Sequence, residues 1–236
     1  MKRETIYGIR PVVEALRSGR RKVFEVLDAV GDEKVAEAAS VRSVEVKRAS
    51  RQRVDEMAGG GVHQGVVASV EPYPYSGLEE ILSAPEPLVL VLDGVTDPRN
   101  LGAVLRSADG AGASGVVIPK DRAVGVTAAA VKASAGASEY ARVARVTNLR
   151  RAVDAMKRTG LWVYASETGG TPYTGLDLTG GVAFVLGSEG RGVRRLVREG
   201  CDGMVSIPML GAVESLNVSV ASAVLVYETR RRRGWS

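Results

Sequence analysis

The chain is poor in the residue types that most often carry chemistry. Among 236 residues there is one cysteine, Cys201, and one histidine, His63. A lone cysteine excludes an intrachain disulfide and any zinc site built from thiolates. A lone imidazole excludes mechanisms that need two, and leaves a Ser-His-Asp triad dependent on His63 alone. No apolar run reaches the roughly 18 residues of a spanning helix, and residues 1–10 lack an apolar stretch of signal-peptide type. The expectation is a cytoplasmic protein with no membrane partner. No G-x-x-x-x-G-K-[ST] segment occurs, so a P-loop hydrolase is excluded. What remains is the chemistry of carboxylate, amide, hydroxyl and guanidinium groups.

What is present is near the globular average, with 45% hydrophobic and 25% charged residues. That excludes a disordered or fibrous chain, and the length allows one large or two modest domains. The net charge of +5 favours a polyanionic partner, although such a charge spread over a whole surface makes a weak field.

A composition shift falls at residues 72–87, where Pro72, Pro74, Pro85 and Pro87 bracket a short amphipathic segment. Proline-rich stretches separate units that fold on their own and leave them free to move. The boundaries expected are a first domain over 1–71, a linker over 72–87 and a second domain over 88–236. In the first domain, 11–17, 32–39 and 51–57 read as helices and 22–27, 44–47 and 65–70 as strands, a small α/β unit. In the second, 88–92, 115–118, 162–165, 182–186 and 205–207 are aliphatic runs. Continuous Val/Leu/Ile runs suit strands buried on both faces of a parallel sheet. Helical patterns at 101–108, 127–134, 149–158, 193–199 and 218–230 lie between them, giving an α/β domain with helices on both faces. Arg230, Arg231, Arg232 and Arg233 close the last helix, where they either complement its dipole or contact RNA phosphates.

The stretch GAGASG at 110–115 matches a dinucleotide fingerprint in letters only. A helix precedes it and a strand follows, the reverse of what the fingerprint requires, so it reads as a helix cap and turn. More informative are three strand-to-helix junctions. The first runs from Asp93 to Asn100 and into a helix carrying Arg106. The second holds Gly187, Ser188, Glu189 and Gly190. The third runs from Ile207 to Ser215, Leu216 and Asn217. Each alone is explained by capping, since Asn and Ser are favoured N-caps and Glu suits a first turn. Their shared position at carboxyl ends of parallel strands is where open α/β sheets bind ligands. Asn100 and Arg106 are about 600 degrees apart around their helix. They point to different sides, so one reaction using both needs a second element or a second subunit.

The segments DPRNLGAVLRSA (97–108), GSEGRG (187–192) and IPMLGAVESLNVSVASAV (207–224) resemble the three signature motifs of the SPOUT superfamily, in its SpoU/TrmH branch of RNA ribose 2'-O-methyltransferases. YGIRPVVEAL (7–16) and VHQGVVASVEPY (62–73) resemble the subgroup acting on a guanosine ribose in large-subunit ribosomal RNA. The resemblance implies a knotted (trefoil) parallel-sheet SPOUT domain and a small N-terminal α/β domain of ribosomal-protein type that binds RNA. It also implies S-adenosylmethionine in the knot loops, a homodimer with the active site at its interface, and RNA, not DNA, as substrate. Carried onto this sequence, Asn100, Arg106, Glu189, Ser215 and Asn217 are the catalytic candidates, and Gly187, Ile207 and Leu216 contact cofactor largely through backbone. Arg106 is such enzymes' candidate base, yet a guanidinium stays protonated in proteins, so it is expected to hold the adjacent phosphate. Glu189 is expected to orient Arg106 or a backbone amide.

His63 has two readings: it contacts RNA, or it orders a glycine-flanked loop. Val62 stands where related sequences commonly have a polar residue. Two alternatives to the ribosomal reading are the same transfer on transfer RNA and a non-catalytic RNA-binding protein of the same fold.

Overall fold

Short apolar runs separated by capped helices fold the first seventy residues around a four-stranded sheet in the computed structural model, which describes residues 2–188 and 190–235. Its strands are β1 (Glu4–Tyr7), β2 (Val23–Asp28), β3 (Val46–Arg48) and β4 (Val66–Val70), in the order β1-β4-β2-β3. Helix α1 (Ile9–Ser18) buries Val12, Val13 and Leu16 against it. Asp32 caps α2 (Glu33–Val41) by accepting from the amides of Lys34 and Val35, and Ser50 caps α3 (Arg51–Ala58) through the Arg53 amide. The central strand β4 is buried along its whole length. Strand β1 is not legible as a strand because four residues, of which only Ile6 is fully buried, give no pattern to count.

The second sheet has six strands, all parallel, in the order β10-β8-β9-β5-β6-β7. They are β5 (Leu88–Asp93), β6 (Gly115–Pro119), β7 (Val143–Val146), β8 (Trp162–Pro172), β9 (Val182–Gly187) and β10 (Gly203–Ser206). Between them run α5 (Pro98–Gly110), α6 (Ala128–Ala133), α7 (Leu149–Arg158) and α8 (Arg195–Arg198), and α9 (Val218–Arg233) ends the chain's helices. Leu88, Leu90 and Leu92 belong to the core on one face, Val89 and Val91 to that on the other. That double burial is why these strands read as unbroken aliphatic runs. Gly102 lets α5 and α6 touch, since a Cβ there would overlap the Ala130 carbonyl.

Residues 72–87 are not a loose tether. Tyr73 is buried, α4 (Leu78–Leu82) packs Ile81 into the second domain, and the core on that domain's inner face runs without a break into the first. Arg21 and Glu139, both buried, form an ion pair across the domain boundary, with Arg21 Nε 3.0 Å from Glu139 Oε2. The Tyr73 hydroxyl donates to the Ala141 carbonyl at 2.8 Å. Relative motion of the domains therefore has to break a desolvated charge pair, a cost the proline pattern gave no sign of.

Strand β8 runs well past the four residues expected of it: β10 pairs with Tyr164 and Ala165 and, after a register shift between Met204 and Val205, with Thr171 and Pro172 at its far end. Helix α9 likewise extends through all four terminal arginines. Arg230 donates to the Ala111 carbonyl at 2.8 Å and Arg233 to that of Leu178 at 3.0 Å. Arg231 and Arg232 both bind Glu228, at 2.7 and 2.8 Å. This cluster ties down its own helix, which favours the structural reading over an RNA contact. The GAGASG segment is the end of α5, a turn and the start of β6, as its context required. Among the described residues no helix is long and apolar enough to cross a membrane.

Candidate functional site

The middle of β8 and the carboxyl ends of β9 and β10 surround a cavity of about 360 Å³. Ser166, Glu167 and Thr168 of β8 form one wall, Leu186, Gly187 and Ser188 a second, and the loop after β10 the third. Ile207, Ser215 and Leu216 lie on that third wall. Of the residues singled out in the sequence, Gly187, Ile207, Leu216 and Ser215 thus share one pocket. Gly187 admits no side chain, because a Cβ would overlap the backbone of Gly192, where the loop after β9 folds back.

That loop is held by groups that no motif announced. Asp93, buried at the end of β5, accepts from the Arg194 amide at 2.8 Å and from its guanidinium Nε at 2.6 Å. Glu167 accepts from the Val193 amide at 3.1 Å. Two carboxylates, from the strands β5 and β8 that flank β9, therefore hold the consecutive amides of Val193 and Arg194 just before α8. Glu167 was missed because the middle of β8, SETGG, reads as a polar loop, and it lies in the stretch that β10 skips between Ala165 and Thr171. Glu189 lies outside the described residues.

Asn100 and Asn217 meet. Asn217 Nδ2 donates to Asn100 Oδ1 at 3.1 Å, while Asn217 Oδ1 accepts from the Ser219 amide at 2.8 Å and caps α9. Capping and site-building are thus one arrangement here, with the first turn of α5 fastened to the start of α9.

Arg106 is not with them. It is exposed two turns along α5, on a separate cleft of about 1000 Å³ between the domains. The helical phase argument holds, and within one chain Arg106 and Asn100 serve different surfaces. The same cleft contains Lys132, whose burial lowers its pKa, and Asp109, whose pKa burial and the Glu14 carboxylate raise. Tyr140, also there, is pushed up to about 12 by burial and by donating its hydroxyl to Glu14 at 2.7 Å.

His63, expected either to contact RNA or to order its loop, has both ring nitrogens engaged within that loop. Its ring is 7% exposed, Nδ1 accepts from the Gly65 amide at 3.0 Å, and Nε2 lies 2.6 Å from Asp55 Oδ1. An acceptor Nδ1 places the proton on Nε2, which donates to Asp55, so both nitrogens are engaged within the loop. His63 orders residues 62–65, and Val62 stands exposed at their tip. Among the described residues no His, Cys, Asp and Glu cluster could hold a metal.

Comparison with known proteins places these features in context. Residues 87–227 match the SpoU rRNA Methylase family, and residues 5–76 match the RNA 2'-O ribose methyltransferase substrate binding family. The 23S rRNA (guanosine-2'-O-)-methyltransferase RlmB of Escherichia coli K12 is 42% identical, over 98% of this chain and 99% of its own. RlmB of Photorhabdus laumondii is 44% identical, over 98% of each. Among solved structures, the SpoU methyltransferase AviRb of Streptomyces viridochromogenes in complex with AdoMet superposes with a TM-score of 0.81 at 26% identity, over 97% of this chain and 89% of that one. A crystal structure described as an RNA 2'-O ribose methyltransferase gives 0.79 at 29% identity, over 98% and 89%.

Proposed function

The chain belongs to the SpoU rRNA methylase family, and on that premise we propose how its own residues carry the family's reaction. The protein is an S-adenosylmethionine-dependent RNA methyltransferase that modifies the 2'-oxygen of a guanosine ribose in 23S ribosomal RNA, a substrate that puts its work in the cytoplasm. The observation that carries the site assignment is the pocket that unites Gly187, Ile207, Ser215 and Leu216.

The pocket suits the cofactor. Leu186, Ile207, Leu216 and Val218 offer apolar surface to a flat base, Ser166 and Thr168 offer hydroxyls, and Glu167 and Glu214 give a cationic ligand anionic neighbours. Bound there, S-adenosylmethionine supplies a methyl group on a sulfonium. Glycine at position 187 and the clamp from Asp93 and Glu167 keep the pocket wall in place, so cofactor affinity is set by backbone placement more than by any one side chain. The Asn100–Asn217 contact fixes the two helix starts beside the pocket and orients the ribose. Ser215 hydrogen-bonds substrate at its rim, and Glu189 is assigned to orienting Arg106 or a backbone amide.

Arg106 holds the phosphate next to the target ribose. Its charge stabilises the developing alkoxide, and the hydroxyl proton passes to phosphate or water, because a guanidinium is a poor base. Positioning supplies much of the acceleration. Since Arg106 faces away from its own chain's Asn100, it serves the pocket of a second copy. A dimer is supported by α9, where exposed Val220 and Tyr227 line up with half-buried Ala223 and Val224 at helical spacing. The return of α9 from the β10 edge of the sheet to α5 supports threading of the terminal segment as a trefoil knot.

Transfer of label from S-adenosylmethionine to purified ribosomal and transfer RNA, with the 2'-O-methyl group mapped, tests the assignment. The expected result is one labelled ribosomal guanosine, with turnover cut about 100-fold by Asn100→Ala at unchanged cofactor affinity. Label only on transfer RNA moves the substrate, and an Asn100→Ala enzyme at full turnover removes the asparagine pair from the site.

A further inference from the structure

The cleft between the domains has a chemistry that the methyl-transfer pocket does not use. Five cations face it, Arg10, Arg17, Lys34, Arg106 and Lys132, against the carboxylates Glu14, Asp32 and Asp109. Two of those carboxylates are engaged locally. Asp32 accepts the amides of Lys34 and Val35 at 3.0 and 3.2 Å, and Glu14 takes the Tyr140 hydroxyl at 2.7 Å with Arg17 at 3.6 Å. Among the described residues Arg10, Lys34 and Arg106 have no carboxylate partner. The groove of about 650 Å³ on the first domain differs, since its Lys47 is matched by Glu25 at 2.8 Å and Glu45 at 3.6 Å.

Lys132 stands apart from the other cleft cations. It is half-buried at the domain boundary, its stem lies against the Gly8 backbone, and its ammonium donates to the side-chain carbonyl of Gln64. Gln64 reaches it from the loop that His63 orders, with a left-handed backbone at φ 55°. A neutral amide is a weaker partner for an ammonium than an anionic oxygen, which makes a charge-assisted bond about twice as strong. Burial lowers the Lys132 pKa, and among the described residues no carboxylate in contact with it offsets that. Tyr140, 47% exposed, gives the cleft a ring face on which an unstacked base can lie.

We propose that this cleft seats the RNA strand flanking the target ribose, and that Lys132 binds one of its phosphates, with Gln64 holding the phosphate's place until RNA arrives. A strand so seated passes Arg106 on the cleft wall. The inference rests on the RNA methyl-transfer reading, which supplies the ligand.

The test uses the full-length protein and a ribosomal RNA fragment containing the methylated guanosine. Wild-type methyl transfer comes first: if cofactor binds and no RNA is labelled, it is the methyl-transfer reading that fails, and the fragment's filter retention then reads Lys132 alone. With transfer established, Lys132→Gln is expected to raise KM for RNA about tenfold with kcat and cofactor affinity unchanged. The slope of log affinity against log salt should fall by about one. Lys132→Arg restores most of both. Gln64→Ala lowers KM by uncovering the ammonium. Wild-type KM and salt slope in Lys132→Gln overturn the proposal. So does a Gln64→Ala enzyme whose KM rises with that of Lys132→Gln, since the contact is then a strut between domains. If Lys132→Gln does not fold, the salt slope of Arg10→Gln reads the same cleft, and an unchanged slope there is equally decisive against it.

Discussion

The pocket and the cleft are built from opposite materials. The pocket is made of glycine turns, aliphatic side chains and carboxylates at the ends of β8, β9 and β10; the cleft is made of long cationic side chains from two domains. A small cationic ligand needs a shape fixed by backbone and an anionic neighbour, and a polyanion needs cations spaced along a surface. One chain meets both demands by keeping them on largely different elements: α9 reaches both, with Val218 and Ala221 on the pocket and Tyr227 on the cleft, and α5 holds Asn100 in its first turn and presents Arg106 two turns on. The division also explains why the catalytic candidates do not converge within one copy.

Each half can be broken without the other. The largest effect is expected from Glu139→Ala, which removes the buried partner of Arg21, leaves the half-exposed Glu4 at 3.7 Å as its remaining carboxylate, and costs about 3 kcal/mol of stability. Measured below its lowered melting temperature, this variant should keep wild-type cofactor affinity and show a raised KM for RNA, because the cleft loses its geometry and the pocket does not. Equal losses in both would mean that the domains act as a single site. Next is Gly187→Ala. Forcing a Cβ into the Gly192 backbone should destabilise by about 1–3 kcal/mol and reduce cofactor binding by calorimetry below detection, while filter retention of RNA persists.

The smallest effect belongs to a control remote from both. Hydrogen bonds from Arg231 and Arg232 hold the Glu228 carboxyl down at about 2, against an ordinary value of 4.5. A carboxyl depressed by folding contributes stability above its unfolded pKa and loses it as pH falls toward the folded one. Glu228→Gln should therefore be less stable than wild type at pH 7, by under about 1 kcal/mol for a pair with solvent-screened partners. The difference should shrink as pH falls from 4.5 toward 2, read from denaturant midpoints, with methyl transfer unaffected.

The second sheet was legible because burial on both faces writes each strand as an aliphatic run, as in LVLVL at 88–92. Strand β7, four residues of which Arg145 is exposed, gave no such signal, and its identity as a strand comes from pairing with β6. The far half of β8 was illegible for the same reason, and Glu167 with it. Capping residues fared better. Asn217 caps α9 where the sequence placed it, because a cap acts over two or three residues, although α5 is capped by Asp97 and Asn100 sits inside its first turn. The tether over 72–87 was misread because proline marks local stiffness and says nothing of where Tyr73 and Ile81 are buried.

By itself the sequence determined the α/β class, the absence of a disulfide framework, the motif segments and the residues they offer, since these follow from composition and short-range periodicity. Only the tertiary structure decided that Gly187, Ile207, Ser215 and Leu216 share one wall, that Asn217 holds Asn100 across 117 positions, and that Arg106 faces elsewhere. It also decided that His63 is occupied within its own loop and that Arg21 crosses to Glu139. The physical reason is the same throughout: capping and strand burial are settled among near neighbours, whereas a pocket, a cleft and a buried ion pair depend on which distant segments the sheet order brings side by side.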